Sequence, residues 1–299
     1  MLEFKKITLS DKEAIQRFTL ASDRMNCDLS FANLYSWHFF YGSEYAVTDD
    51  ALYFRYTEEG ELRYMLPVAP RLTADMLRLL EADAAAQGKP LVLAGVCAHT
   101  LPQLEELMPG RFECTANRDF ADYVYRSADL STLAGKKYQA KRNHLNRFRA
   151  AWPDAEFLPL TPELVEECLS MEQAWFTAHD SAHHEALLNE RRSMTRALRS
   201  MRELDIEGGV LHAGGRIVAF TYGAPINANT FDVCVEKASA AVDGAYTAIN
   251  QAFAKHLAER YEYLNREEDL GLDGLRQAKL SYQPAIVLEK YIARLRPEQ

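Results

Sequence analysis

The sequence predicts an α+β fold built in two halves, and three observations carry that prediction. The chain has 299 residues, 48% hydrophobic and 26% charged, which suggests about two globular domains with sizeable cores. Short apolar runs of strand type alternate with amphipathic helical stretches along the whole chain. In the second half they follow the order hairpin, strand, helix, strand, the pattern of a mixed sheet with helices packed on it. This composition excludes a disordered chain, a collagen and a disulfide-stapled mini-domain. The net charge of −9 excludes a protein that holds nucleic acid through its average charge, though not one with a local basic site.

The elements follow in order. Phe4–Thr8 reads as a strand, and Ala14, Ile15 and Phe18 mark a helix for which Ser10 or Asp11 is the cap. An aromatic-dense stretch, from Phe31 to Tyr45, comes next. Ala46–Tyr56 and Leu62–Pro67 read as strands paired across Glu58-Glu59-Gly60. Ala74–Gln87 has helical spacing and stops at Gly88. Leu91–Val96 is a buried-type strand, Leu101–Met108 a helix and Tyr123–Tyr125 a strand. Ser127–Gly135 is the best boundary between the halves. Beyond it, helices are expected at Lys136–Ala151, Glu163–Ala178 and Glu185–Leu204. Gly208–Ala213 and Arg216–Tyr222 form a hairpin across Gly214-Gly215. Thr230–Val235 is a strand, and Ala245–Glu259 is a helix with Ile249, Phe253 and Leu257 at i, i+4, i+8. Tyr261–Leu264 and Ala285–Ile292 are strands that close the sheet.

No segment reaches the roughly 18 consecutive apolar residues of a membrane-spanning helix. The N-terminus carries Glu3, Lys5 and Lys6 and has no apolar core of signal-peptide type. The five cysteines, Cys27, Cys97, Cys114, Cys168 and Cys234, are odd in number and widely spaced, as expected of buried free thiols in the cytoplasm.

Three features can carry chemistry. Lys136–Arg149 holds six basic residues (Lys136, Lys137, Lys141, Arg142, Arg147 and Arg149) and no acid. Wound as a helix, it places Tyr138, Leu145, Phe148 and Trp152 on one stripe with Lys141 in its middle. That is either a solvated basic face with a snorkelling lysine or a phosphate-binding patch. Arg192, Arg196 and Arg199 make a second basic face, which amphipathic packing alone accounts for. The loop and short helix of Asn265–Pro284 carry the acids Glu267, Glu268 and Asp269 near Lys279, a grouping suited to a base and a charge-stabilising cation. His179 and His183 are spaced for a metal but lack the H-E-x-x-H glutamate, so no metal site is assigned. No P-loop or G-x-G-x-x-G sequence is present.

The stretches Asn265–Pro284, Gly135–Phe148, Thr230–Lys237, Asp243–Ala254 and Asn26–Trp37 together resemble a bacterial family named for its likeness to the C-terminal domain of phosphatidylglycerol lysyltransferase. The resemblance implies two tandem GNAT-like (acyl-CoA N-acyltransferase-like) domains, residues 1–128 and 129–299, each a mixed, mostly antiparallel sheet flanked by helices. It implies transfer of an aminoacyl or other acyl group, from aminoacyl-tRNA or acyl-CoA, to an amine or hydroxyl of a small molecule, peptide or lipid headgroup. Carried over by motif, Asp269 or Glu268 acts as base or orients the donor amine, and Lys279 stabilises charge. Lys137, Lys141 and Arg142 bind phosphate, while Asp232, Glu236, Lys237, Asn265 and Tyr282 line the cleft. The segment Ala240–Ala245 has one glycine and an acid where a GNAT acetyl-CoA loop precedes its helix. That acid competes with a pyrophosphate for the helix dipole and disfavours acetyl-CoA. An acetyl-CoA-dependent N-acetyltransferase, and a non-catalytic anion- or RNA-binding protein on the same fold, are the alternatives.

Overall fold

The computed structural model describes residues 2–178 and 184–297. The first half runs β1 (Lys5–Lys6), α1 (Lys12–Thr19), α2 (Phe31–Ser36), α3 (His38–Tyr41), β2 (Glu44–Val47), β3 (Leu52–Glu58), β4 (Glu61–Met65), α4 (Ala74–Ala86), β5 (Val92–Cys97), α5 (Leu101–Leu107) and β6 (Phe112–Arg126). The second runs α6 (Ser127–Thr132), α7 (Gln139–Ala151), β7 (Glu156–Pro159), α8 (Val165–Ala178), α9 (His184–Arg199), β8 (Glu207–Ala213), β9 (Arg216–Pro225), β10 (Thr230–Ala238), α10 (Ala245–Leu257), β11 (Tyr263–Asn265), α11 (Asp273–Leu280) and β12 (Ile286–Leu295).

Local chemistry accounts for most of these elements. The Thr73 hydroxyl accepts from the Met76 amide and caps α4, and Gly88 ends it in the left-handed region. Gly214 and Gly215 both have positive φ, which gives the β8–β9 hairpin a turn matching the strand twist. On α10 the expected stripe is buried, with Ile249 and Leu257 at 0% and Phe253 at 2% exposure. Each such side chain contributes about 1.5–3 kcal/mol on burial. On α7, Leu145 and Phe148 pack into the same core, together with Tyr138 just before the helix.

The twelve strands among the described residues form one sheet, in the order β1-β2-β3-β4-β5-β12-β6-β11-β10-β9-β8-β7. Each half contributes an antiparallel meander ending in a parallel pair, β4–β5 and β10–β11. The last strand of each half then crosses to the other. β12 pairs with β5, β6 pairs with β11, and β6 and β12 pair with each other at the centre. The C-terminal strand therefore lies in the middle of the sheet, where sequence order had placed it as a closing strand. An edge strand can be polar on one side, but β12 is flanked on both, and its Lys290 and Ala293 are buried.

Two further differences have clear causes. β6 spans 15 residues where only Tyr123–Tyr125 was expected, because Glu113–Ala116 are exposed on both faces and show no alternation. The stretch Ala46–Tyr56 divides into β2 and β3, which pair as a hairpin about Thr48–Ala51.

Candidate active site

The strand exchange brings β6, β10, β11 and β12 together at the sheet centre, and each delivers a charged or amide side chain. β10 and β11 pair in parallel up to Asp232 and Asn265 and then part. A Cβ on Gly223 of β9 would lie 1.7 Å from the Asp232 carbonyl oxygen, so only glycine lets the strands approach there. Asp122, Asp232 and Asn265 are fully buried, and Lys290 is nearly so.

Lys290 sits among three carboxylates, with its ammonium 2.8 Å from Asp28, 2.7 Å from Asp122 and 2.6 Å from Glu268. Cys27 completes the group, its amide donating to Asp122 at 2.9 Å and its thiol lying 3.3 Å from Glu268. Burial works against the Lys290 charge, but Asp122, Asp28, Cys27 and Glu268 outweigh it and hold the ammonium well above its ordinary pKa. Burial also raises the Asp122 carboxyl, to about 7, with Glu268 and Asp28 adding to the rise against Lys290.

A second group of the same composition lies alongside. The Asn33 amide donates to Asp232 at 2.9 Å and to Glu267 at 2.8 Å, and the Cys234 thiol lies 3.4 Å from Asp232. Among the described residues no ammonium or guanidinium is paired with these acids. Burial and the neighbouring Glu267 push Asp232 well above the carboxylate range. Burial and Glu268 raise Glu267 to about 8, against the opposing pull of Asn33 and Lys279. Both groups, Cys27–Asp122–Glu268 and Asp232–Cys234–Glu267, gather ligand-type atoms within 4.8 Å of one another. The first already holds the Lys290 cation. The second has the donor types for a cation but no side chain to supply one.

The loop after β11 is held by backbone geometry and by Asp269. Glu267, Leu270 and Gly271 have positive φ, and a Cβ on Gly271 would meet the Asp119 carboxylate at 3.0 Å. Asp269 is fully buried and accepts from Arg276 through both oxygens at 2.8 Å, from Tyr123 at 2.5 Å and from the Gly271 amide at 2.9 Å. Burial would raise its pKa, but these donors hold it far below the carboxylate range. Both Asp269 oxygens are thus engaged, and the group is a brace. The Lys279 ammonium is turned onto the Arg266 and Glu268 carbonyls, and burial lowers its pKa. It ties the same loop together from below. Asn265 donates to Asp122 at 2.8 Å and to the Met25 carbonyl at 2.7 Å, and its side-chain oxygen accepts from the Glu267 amide at 2.7 Å, joining the two groups of acids.

The basic segment meets this region at Tyr282 through two residues. The Lys141 ammonium lies 3.7 Å above the Tyr282 ring, and Tyr138 donates to the Tyr282 carbonyl at 3.1 Å. Burial and Arg266 lower Lys141 to about 8, against Glu236. Glu236 in turn accepts from Arg266 at 2.9 Å and Asn250 at 3.0 Å. Lys137 and Arg142 point elsewhere. Lys137 pairs with Asp129 at 3.0 Å, and Arg142 donates to the Leu133 and Gly135 carbonyls. Lys237 is also apart, pairing with Glu190 at 2.8 Å over the Trp175 ring. Asp243, the acid before α10, is bonded to Arg147 at 2.8 Å. His179 and His183 lie outside the described residues.

Above the acids opens a cavity of about 220 Å³ lined by Asn33, Trp37, Tyr41, Tyr56, Glu267, Glu268 and Lys290 among others. Of the residues expected from sequence, the structure brings Asp232, Asn265, Glu268 and Lys279 together and sets Lys141, Glu236 and Tyr282 one shell further out. Those not anticipated are Cys27, Asp28, Asn33, Asp122, Cys234, Glu267 as a distinct group, and Lys290. Two of these carried a signal, for Asp122 is a charge beside the apolar run Tyr123–Tyr125 and Lys290 alternates with Leu288 and Ile292 on one face of its strand.

The two halves, each an antiparallel-rich sheet with one parallel pair and flanking helices, form a tandem GNAT-like fold. The family model described as phosphatidylglycerol lysyltransferase, C-terminal, matches residues 21–294, and the chain belongs to that family. A conserved protein of unknown function from Bacteroides thetaiotaomicron superposes with a TM-score of 0.96 at 49% identity, over 99% of this chain and 100% of that one. The C-terminal domain of a protein named as a lysylphosphatidylglycerol synthetase from Agrobacterium fabrum has a TM-score of 0.69 at 14% identity, covering 96% and 92%. L-PGS from Bacillus licheniformis gives 0.65 at 15%, covering 97% and 93%. These two likenesses establish the fold. A sequence relative from Mycoplasmoides gallisepticum, the protein MYCGA3080, is 20% identical over 175 residues, which are 58% of this chain and 56% of that relative's length. No described helix is long and apolar enough to cross a membrane.

Proposed function

We propose that the chain transfers an aminoacyl group, carried as an ester on a tRNA, to an amine or hydroxyl acceptor bound in the central cavity. The observation that carries this reading is the charge imbalance in the buried cluster of which Asp28, Glu267 and Glu268 line the cavity. Five carboxylates (Asp28, Asp122, Asp232, Glu267 and Glu268) face two buried ammonium groups, one of them spent on backbone carbonyls. Buried negative charge of this kind calls for a proton or a cation, and an aminoacyl donor brings an ammonium. Asp232 and Glu267, the acids without a side-chain cation, are its seat.

Glu267 lines the cavity and has a pKa near the working range, so it is the proton carrier. Arrival of the donor ammonium releases the proton that Glu267 holds. As the acceptor's nitrogen or oxygen forms its bond to the ester carbonyl carbon, the freed Glu267 carboxylate takes the proton the acceptor loses. When the carbon–oxygen ester bond breaks, that proton passes to the departing ribose oxygen. Glu268 and Lys290 set the field, and Asp269 and Lys279 hold the loop that presents Glu267. Lys141 and the exposed Lys136 are the cations left on the basic helix for donor phosphates. The Asp243–Arg147 pair at the start of α10 supports a donor other than acetyl-CoA, since it puts an acid where a pyrophosphate would bind.

The test is transfer of radiolabel from a panel of aminoacyl-tRNAs in extract of the source organism. Label should move into a new product from at least one of them. No transfer from any, with the melting temperature raised by acetyl-CoA, would replace this reading by the N-acetyltransferase one.

A further inference from the structure

The N-terminal half supplies most of the wall of the central cavity, and that wall has a charge pattern the donor does not account for. Among the described residues the cations lining it are Arg55, Arg63 and Lys290, and each is already matched by two or more carboxylates. Arg55 pairs with Glu44 and Asp83, both at 2.8 Å, Arg63 with Glu58 and Glu61, and Lys290 with Asp28, Asp122 and Glu268. Acceptor atoms, by contrast, are left over. Glu268 uses Oε1 on Lys290 and Cys27, and its Oε2 has no partner among the described residues. Asn26, 4% exposed, donates to Asp28 at 3.1 Å and keeps a buried Oδ1 unpaired. The ion cluster around Lys290 is complete for the fold, yet still short of hydrogen-bond donors.

Three aromatic rings in mutual contact line the same cavity. Trp37 lies 6.2 Å from Tyr41, and Tyr41 lies edge-on to Tyr56 at 5.7 Å. Burial raises the pKa of both tyrosines, with Glu268 and Asp28 adding to the rise at Tyr41 and Asp28 at Tyr56. The hydroxyls therefore stand near those acids, and neither has a hydrogen-bond partner among the described residues. Ring faces beside carboxylates suit a cation with several N–H donors.

We infer that this wall binds the acceptor, and that the acceptor is a small alkyl diamine, held by one ammonium at Trp37, Tyr41, Tyr56 and Glu268 while its second amine attacks. The attack rests on the proposed aminoacyl transfer; the seat does not. An attacking amine must be neutral, so it cannot also be the cation the wall calls for, and a second amine is needed. That amine leaves one proton in solvent as it enters. Its nitrogen then bonds to the ester carbon, the carbon–oxygen ester bond breaks, and a nitrogen proton passes through Glu267 to the ribose oxygen. A phosphate-bearing acceptor would find no free cation here and would face a surplus of carboxylates.

Thermal melts of the full chain with 1,4-diaminobutane, 1-aminobutane and glycerol 1-phosphate test the seat. The diamine should raise Tm more than the monoamine at equal concentration, and the phosphate should not raise it. Tyr41→Leu and, separately, Trp37→Leu should each weaken the diamine about ten-fold and leave the rise with alaninamide intact. Asp232→Asn should do the opposite, and ligand-free melts certify that each variant is folded. No rise with the diamine, or a rise lost in Asp232→Asn and kept in both ring variants, overturns the seat. In the transfer assay, label from an aminoacyl-tRNA should appear in an N-acylated diamine. Transfer to another acceptor in the extract, with none to the diamine, overturns this inference and leaves the reaction standing. Diamine binding with no transfer from any donor does the reverse.

Discussion

The two acid groups at the sheet centre have the same composition, one cysteine, one aspartate and one glutamate, with the glutamates adjacent in sequence. They differ in a single respect. Cys27–Asp122–Glu268 encloses the Lys290 ammonium, 2.7 Å from Asp122 and 2.6 Å from Glu268, whereas Asp232–Cys234–Glu267 has only the neutral Asn33 amide. The first is a finished structural ion cluster, stable as it stands. The second has no such cation among the described residues, and burial raises the pKa of both its acids. A buried charge network with its counter-ion built in serves the fold, and one without it serves a ligand.

The contrast breaks most severely at Lys290. Lys290→Met should cost about 3–5 kcal/mol in urea denaturation, because it strands Asp28, Asp122 and Glu268 without their cation. Glu267→Gln should do the reverse, lowering transfer by about 10²–10⁴ with the fold retained. The same variant sharpens the comparison through pH. A native Glu267 at about 8, against an ordinary 4.5, holds a proton that the unfolded chain has released. Stability should therefore fall as pH rises from about 4.5 to about 8, and Glu267→Gln should flatten that slope in melts across the range. Asp269→Asn should cost about 1–3 kcal/mol by leaving Arg276 and Tyr123 short of their shared acceptor. It should reduce activity only as far as the loop loosens. Lys137→Ala should be the smallest change, within about 1 kcal/mol in the same denaturation assay, since it removes only an exposed pair with Asp129.

How much of this was legible from the chain follows its physics. Helical periodicity and turn glycines marked α4, α7, α10 and the β8–β9 hairpin, because those signals are local. The exchange of β6 and β12 was not legible, since strand order depends on pairing between residues more than a hundred positions apart. The site divides along the same line. The acids at 267–269 stood out as a run, and they were read as one catalytic set. The fold gives the three of them separate partners: Asn33 for Glu267, Lys290 for Glu268 and Arg276 for Asp269. The basic run at 136–149 was visible as charge, yet Asp129, Asp243 and backbone carbonyls take up much of it.

The central claim is that the Asp232–Glu267 group receives a substrate ammonium. Thermal melts with alaninamide and lysinamide, which carry the ammonium and carbonyl of an aminoacyl group, address it directly. The account predicts a concentration-dependent rise in Tm with at least one of the two, lost in Asp232→Asn and Glu267→Gln, and no rise with acetyl-CoA. A rise with acetyl-CoA and none with either amide would contradict it.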